Sequence, residues 1–188
     1  MEKPTIQLNL VKNSNELLRY YMNNHYSKPK GFVGRNICHL IYVNNKCYGG
    51  IVGGSSLAHL PGRDEFFNLP NTYECLNGII NNIFFHIEKP YPIRNFSLHL
   101  LQKWRNIIIP LWEEKYNDKV IGFETLVELP RTGEVYKRDN WVEVGITKGF
   151  TCKRVGSIVS TDSYTGIRVW DTKNLRPKRI FTRYGKTP

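Results

Sequence analysis

Three adjacent side chains, His25-Tyr26-Ser27, form the densest chemistry in this sequence: an imidazole that can move a proton or hold a metal, a phenol and a hydroxyl. They leave a short amphipathic segment, Asn15 to Asn24, in which Leu17, Leu18, Tyr21 and Met22 recur at helical spacing behind Ser14 as the expected N-cap. A site at a helix exit is one reading. The other is that His25 caps the helix carbonyls and Tyr26 packs. A second set of polar groups lies in Leu76 to Ile87, LNGIINNIFFHI, where Asn77, Asn81 and Asn82 interrupt a strand-like apolar run. Buried amides must be satisfied. These asparagines therefore either bond a base or ligand, or fill a bulge.

The elements that must position these groups can be read in order. Asn36 to Val43 and Lys46 to Gly53 form a hairpin across Asn44-Asn45. Its second strand carries Gly49, Gly50, Gly53 and Gly54, which weaken packing but let a ligand or another backbone approach. Ser55 to Leu60 reads as a short helix or loop, before Pro61-Gly62-Arg63-Asp64. A helix is expected from about Asn95 to Ile108, with Pro110 opening a further turn or a kink. Phe123 to Leu129 is a strand ended by Pro130, and Thr132 is the expected cap of a helix from Gly133 to Asp139. Asn140 ends that helix, and Trp141 to Ile146 alternates as a return strand. Tyr136 and Trp141 are either site residues or ordinary core aromatics. Beyond Val155, Ile158 to Ser160 and Ile167 to Trp170 read as edge strands, and Leu175 to Lys186 as a basic, extended tail. The order of elements implies an α/β (α+β) fold, a mixed sheet flanked by helices.

At 188 residues the chain is one domain, residues 1–154, with a basic extension, 155–188, packed on or trailing from it. Its net charge of +11 needs a reason, since self-repulsion opposes compaction, and nucleic acid is the usual partner. From Lys148 to Pro188 there are ten Lys/Arg against two Asp. The four cysteines form no CxxC pair, which argues against a zinc ribbon or thioredoxin motif. With no signal peptide and no apolar run of membrane-spanning length, a cytoplasmic protein with free thiols and no membrane partner is expected.

His25-Tyr26-Ser27, Gly34-Arg35, the glycine-rich strand, Arg63-Asp64, LNGIINNIFF and FET…GEVYKRDNWVEVGITKG, in that order, resemble the DruA family. That family takes its name from a component of a bacterial anti-phage defence system. A more distant resemblance runs to the Mom proteins of Mu-like phages, which modify adenine in DNA. Together these imply a GNAT-like fold, a mainly antiparallel sheet flanked by helices, in a bacterial host cell alongside other defence-system or phage proteins. The resemblance places His25, Tyr26, Ser27, Glu124 and Tyr136 at the active site. Mom admits iron, with His25, Tyr26 and Glu124 as candidate ligands. An acyl-CoA-like donor would meet Arg94, Asn95 and Ser97, where ordinary GNAT enzymes have a glycine loop and this chain has none. DNA would be gripped by Arg35, Arg63, Arg138, Lys153, Arg154, Arg176, Lys178 and Arg179. The implied function is transfer of an acyl-like or amino-acid-derived group to a DNA base amine, adenine N6 first. The alternative is a non-catalytic DNA-binding component of such a system.

Overall fold

A computed structural model describes residues 4–149, 151–154, 168–171 and 175–185. The chain runs β1 (Ile6–Val11), α1 (Glu16–Asn24), β2 (Asn36–Val43), β3 (Lys46–Ser55), α2 (Pro61–Phe67), a 3-10 turn (Glu74–Gly78), β4 (Ile79–Ile87), α3 (Phe96–Tyr116) and β5 (Gly122–Glu128). Then come α4 (Glu134–Arg138), β6 (Val142–Ile146), β7 (Thr151–Arg154), β8 (Arg168–Asp171) and β9 (Lys178–Tyr184). Seven strands form one sheet in the order β1-β2-β3-β4-β5-β9-β6, antiparallel except where β4 meets β5. β7 and β8 pair as a separate ribbon between β6 and β9.

The period-two pattern of the strands divides the core. Ile37, Ile41, Ile51 and Phe123 face α3 and pack on Leu100, Leu101, Trp104 and Ile108. Cys38, Leu40, Val52 and Phe84 point the other way, onto Leu18, Tyr21 and Met22 of α1. α2 lies on the α1 side, beside β9 and β6. The glycines of β3 serve this packing rather than a ligand. A Cβ at Gly53 would sit 2.3 Å from Ile108 Cδ1, and one at Gly50 would sit 2.7 Å from Leu18 Cδ1. Each glycine lets a helix settle closer to the sheet.

Both hairpin asparagines adopt positive φ, 48° at Asn44 and 64° at Asn45, as the two-residue turn requires. Elsewhere the structure corrects the expectations. The caps differ by one residue: Asn15, not Ser14, accepts the Leu18 N–H at 3.0 Å, and Gly133 rather than Thr132 precedes α4. The strand expected from Leu76 begins at Ile79, after the 3-10 turn. The further turn expected at Pro110 is borne out: α3 runs on to Tyr116, because Pro110 and Asn106 both lie on its exposed face. The Asn106 carbonyl that loses its N–H partner there can bond water instead. β1 and α2 carry weak sequence patterns and add to the expected elements. The stretch expected as a basic tail forms β9, hydrogen-bonded between β5 and β6. Ile158 to Ser160 lies outside the described residues. Among those described, no helix is long and apolar enough to cross a membrane.

Trp141 is buried at 4% exposure beside Phe123, which also touches Trp104, and its indole N–H donates to Asp139 Oδ2 at 2.8 Å. Trp141→Ala is expected to destabilise the chain by about 3–5 kcal/mol in urea unfolding. A loss below about 1 kcal/mol would contradict this packing.

Candidate active site

β4 and β5 run parallel for three residue pairs, Ile79–Asn81 against Gly122–Glu124, and then part. The cause lies in β4. Val52 pairs with Phe84 and Gly53 with Asn82, so Ile83 is an extra residue, a bulge that turns the strand. Asn82 fills that bulge. Its amide N–H groups donate to the Val52 and Phe84 carbonyls at 3.3 and 3.2 Å, and its own carbonyl accepts the Thr125 hydroxyl at 2.9 Å. Its remaining Oδ1 accepts the Tyr136 phenol at 2.7 Å.

The parted strands enclose a cleft of about 380 Å³, with Ile83, Phe85, Leu126, Val127 and Val135 as apolar wall and His25, Tyr26, Thr125, Arg131 and Tyr136 as polar groups. His25 and Tyr26 enter from the end of α1. His25 occupies the C-cap position, but its ring turns away from the helix and packs on Phe84, with centroids 5.0 Å apart. Burial, reinforced by the neighbouring charges of His86 and Arg131, lowers its pKa to about 4. The ring is therefore neutral at pH 7. Nδ1 accepts the Ser27 N–H at 3.2 Å and lies 2.8 Å from Ser27 Oγ, which leaves the ring proton on Nε2. Arg131 stacks 3.5 Å from the centre of the Tyr26 ring. Burial raises the Tyr26 pKa, with Arg131 pulling against it. Tyr136 is buried, and burial pushes its phenol well above the usual value, so it keeps its proton through neutral pH.

His39, buried under α3 with neither ring nitrogen bonded, is likewise lowered to about 4 by burial. In the unfolded chain both histidines titrate near 6.5. Between about pH 6.5 and 4 the unfolded state therefore binds protons that the folded state refuses, so stability is full above this window and falls with pH inside it. Acidification from pH 7 to 4.5 is expected to remove about 2–3 kcal/mol per histidine. His39→Leu should lessen the loss by about 2–3 kcal/mol in urea titrations. An unchanged slope would contradict the neutral burial.

Glu124 stands apart from these groups. Its side chain is 0% exposed on the α2 side of β5, with Oε1 accepting the Leu57 N–H at 2.7 Å and Oε2 held by Arg63. Burial raises its pKa, and Arg63 and the Leu57 amide draw it back down. Arg63, expected at the surface to hold DNA, is 0% exposed and spent on Glu124, Asp64 and the Ala58 carbonyl. With both Glu124 oxygens occupied and a guanidinium beside it, the His25–Tyr26–Glu124 set does not fit iron. Among the described residues no group of three or more His, Cys, Asp or Glu could hold a metal ion.

The other expected groups scatter. Arg35 pairs with Asp118, away from the cleft. Arg138 is exposed and donates to Asn95 Oδ1 at 3.0 Å, beside exposed Arg94 and half-buried Ser97. Asn95 enters α3 at φ 57°, so no glycine cradle for a diphosphate exists there. Arg176 is exposed and Lys178 half-buried, while Arg179 turns to the opposite face and bonds Glu143 at 2.5 Å. The side chains of Lys153 and Arg154 lie outside the described residues. Sequence reasoning missed His59, which packs against α2 and bonds Asp64 Oδ2 at 2.8 Å. The only signal was Pro61, well suited to the first position of a helix.

A profile of the family described as "Druantia protein DruA" matches residues 2–187. The chain belongs to the DruA family. No curated protein matches this DruA chain by sequence. Its fold is that of GNAT acetyltransferases. Arabidopsis thaliana NAA60 in complex with a bisubstrate analogue superposes with TM-score 0.60 at 12% identity, covering 96% of this chain and 98% of that one. A Bacillus subtilis acetyltransferase in complex with CoA gives 0.56 at 10% identity, covering 96% and 97%. A GNAT family acetyltransferase from Elizabethkingia anophelis with acetyl-CoA bound gives 0.52 at 10% identity, covering 95% and 97%.

Proposed function

We propose that this DruA chain transfers an acyl-like or amino-acid-derived group from an activated carrier to an amine of a DNA base, with adenine N6 the first candidate. The observation that carries this reading is the cleft between β4 and β5. Past Asn81 and Glu124 the ladder between the two strands ends, so backbone groups on both edges border an apolar slot. Such a slot suits an extended, amide-bearing thioester arm. Bound there, an acyl thioester would supply an activated carbonyl. Its anionic end would meet Arg94, Ser97 and Arg138 instead of a glycine loop, so a carrier other than acetyl-CoA is compatible with the site.

The chain's own groups divide the chemistry. Neutral His25 directs its Nε2–H as a donor, suited to an oxygen on which negative charge develops. Tyr136 holds a phenolic proton against Asn82, ready for a leaving group. Tyr26, over which Arg131 stacks, lines the cleft, while the Ser27 N–H holds the His25 ring in its tautomer. DNA as acceptor is supported by the net charge of +11 and by the exposed Arg176. Nucleosides from the DNA of bacteria making this chain should contain a base of increased mass. A spectrum identical to that of control cells would favour a module that only grips DNA.

A further inference from the structure

On the α2 side of β5 a groove of about 620 Å³ is bounded by Leu57 to Leu60, by Ser27, Leu126 and Glu128, and by Thr147–Gly149, Arg176 and Lys178. The last of these form the stem of the β7–β8 insertion, closed by bonds from Thr147 N–H to Lys178 O at 2.8 Å and from Arg176 N–H to Gly149 O at 2.9 Å. Leu126 borders both this groove and the cleft, and the adjacent residues Tyr26 and Ser27 border one each. The two spaces therefore meet across one side chain.

Within the groove His59 is held by three groups in series. Glu124 binds Arg63, Arg63 binds Asp64 at 2.5 Å, and Asp64 Oδ2 takes the His59 Nδ1–H at 2.8 Å. The first two are fully buried. An imidazole that donates from Nδ1 to a carboxylate is fixed in the tautomer whose Nε2 carries a bare lone pair. That Nε2 is buried and has no hydrogen-bond partner among the described residues. An acceptor so placed lacks only a donor, and a base amine is one. Tyr73, 71% exposed and 5.4 Å from the His59 ring, offers an aromatic face against which a base could stack. Lys148, Arg176 and Lys178 line the same groove and give it the charge to hold phosphates, with Glu128 the one carboxylate among its lining residues.

We infer that this groove is the nucleic-acid acceptor site and that His59 is the general base of the transfer, with Asp64, Arg63 and Glu124 as its positioning residues. The inference rests on the acyl-transfer reading above and adds the acceptor's location and its base. As the acceptor nitrogen bonds the thioester carbonyl carbon, its proton passes to His59 Nε2 and the C–S electron pair leaves with sulfur. Tyr136 gives its phenolic proton to that sulfur and regains one from solvent, to which His59 releases its own.

The test compares nucleosides from the DNA of bacteria making wild type, His59→Gln or Asp64→Asn, with duplex DNA affinity and melting temperature measured on each purified chain. His59→Gln should lower the modified base by at least about 100-fold. Asp64→Asn, which keeps the ring but loosens it, should lower it by about tenfold and serves as the decisive variant should His59→Gln fail to fold. Both should retain DNA affinity within about twofold. Wild-type amounts of modified base in either correctly folded variant would overturn the role of His59 and leave the acyl-transfer reading standing. Absence of any modified base with wild type would overturn that reading, and this inference with it.

Discussion

Arg63→Met is expected to lower stability by about 3–5 kcal/mol, among the largest single-residue losses in this chain. The arginine is fully buried, and its removal leaves Glu124 in the same dry environment with only the Leu57 N–H for support. The carboxylate must then take up a proton or draw in water, and either outcome sacrifices the contacts that hold the Leu57–Leu60 segment against β5. Glu124→Ala should cost less, because the guanidinium keeps Asp64 and the Ala58 carbonyl as partners. The double variant Arg63→Met/Glu124→Gln should recover a large part of the loss, since no bare charge remains. Urea unfolding of the three variants checks this. Strictly additive losses in the double variant would mean that the pair is not energetically coupled.

The same pair shows what the sequence could and could not reveal. Arg63 and Glu124 were legible as charged residues in conspicuous places, but a charge in a string of letters carries no sign of its depth. Only the fold brings them together, 61 residues apart, as partners of each other. The strand–helix–strand unit around Tyr136 and Trp141 was legible because local rules govern it: alternation, a left-handed Asn140 at φ 58° and a short helix. The hairpin through Asn44-Asn45 was legible for the same reason. β9 was not. Its residues Lys178–Tyr184 carry three basic side chains that read as tail, and their place between β5 and β6 follows from non-local pairing. Asn82 was visible as an interruption. That it fills a bulge and orients Tyr136 depends on a partner 54 residues away. His59 had no local pattern to mark it, since its carboxylate is supplied by a helix that begins two residues later.

Tyr136→Phe is expected to lower transfer by about 10²–10⁴-fold, the usual range for losing a positioned proton donor. The ring would still fill its site against Trp141 and Phe181, whose centroids lie 5.1 and 5.9 Å away. Asn82 Oδ1 would lose the phenol that donates to it, at a cost of about 1–3 kcal/mol in stability. DNA affinity should not change, because Tyr136 is enclosed within the cleft wall. A structural role alone predicts the reverse: lower stability with the rate per folded molecule preserved. The most direct measurement is therefore the amount of mass-shifted nucleoside formed per folded molecule by wild type and by Tyr136→Phe, at matched DNA occupancy. The account predicts a modified base with wild type and its near-complete loss in the variant. Equal amounts from both, or none from wild type, would contradict it.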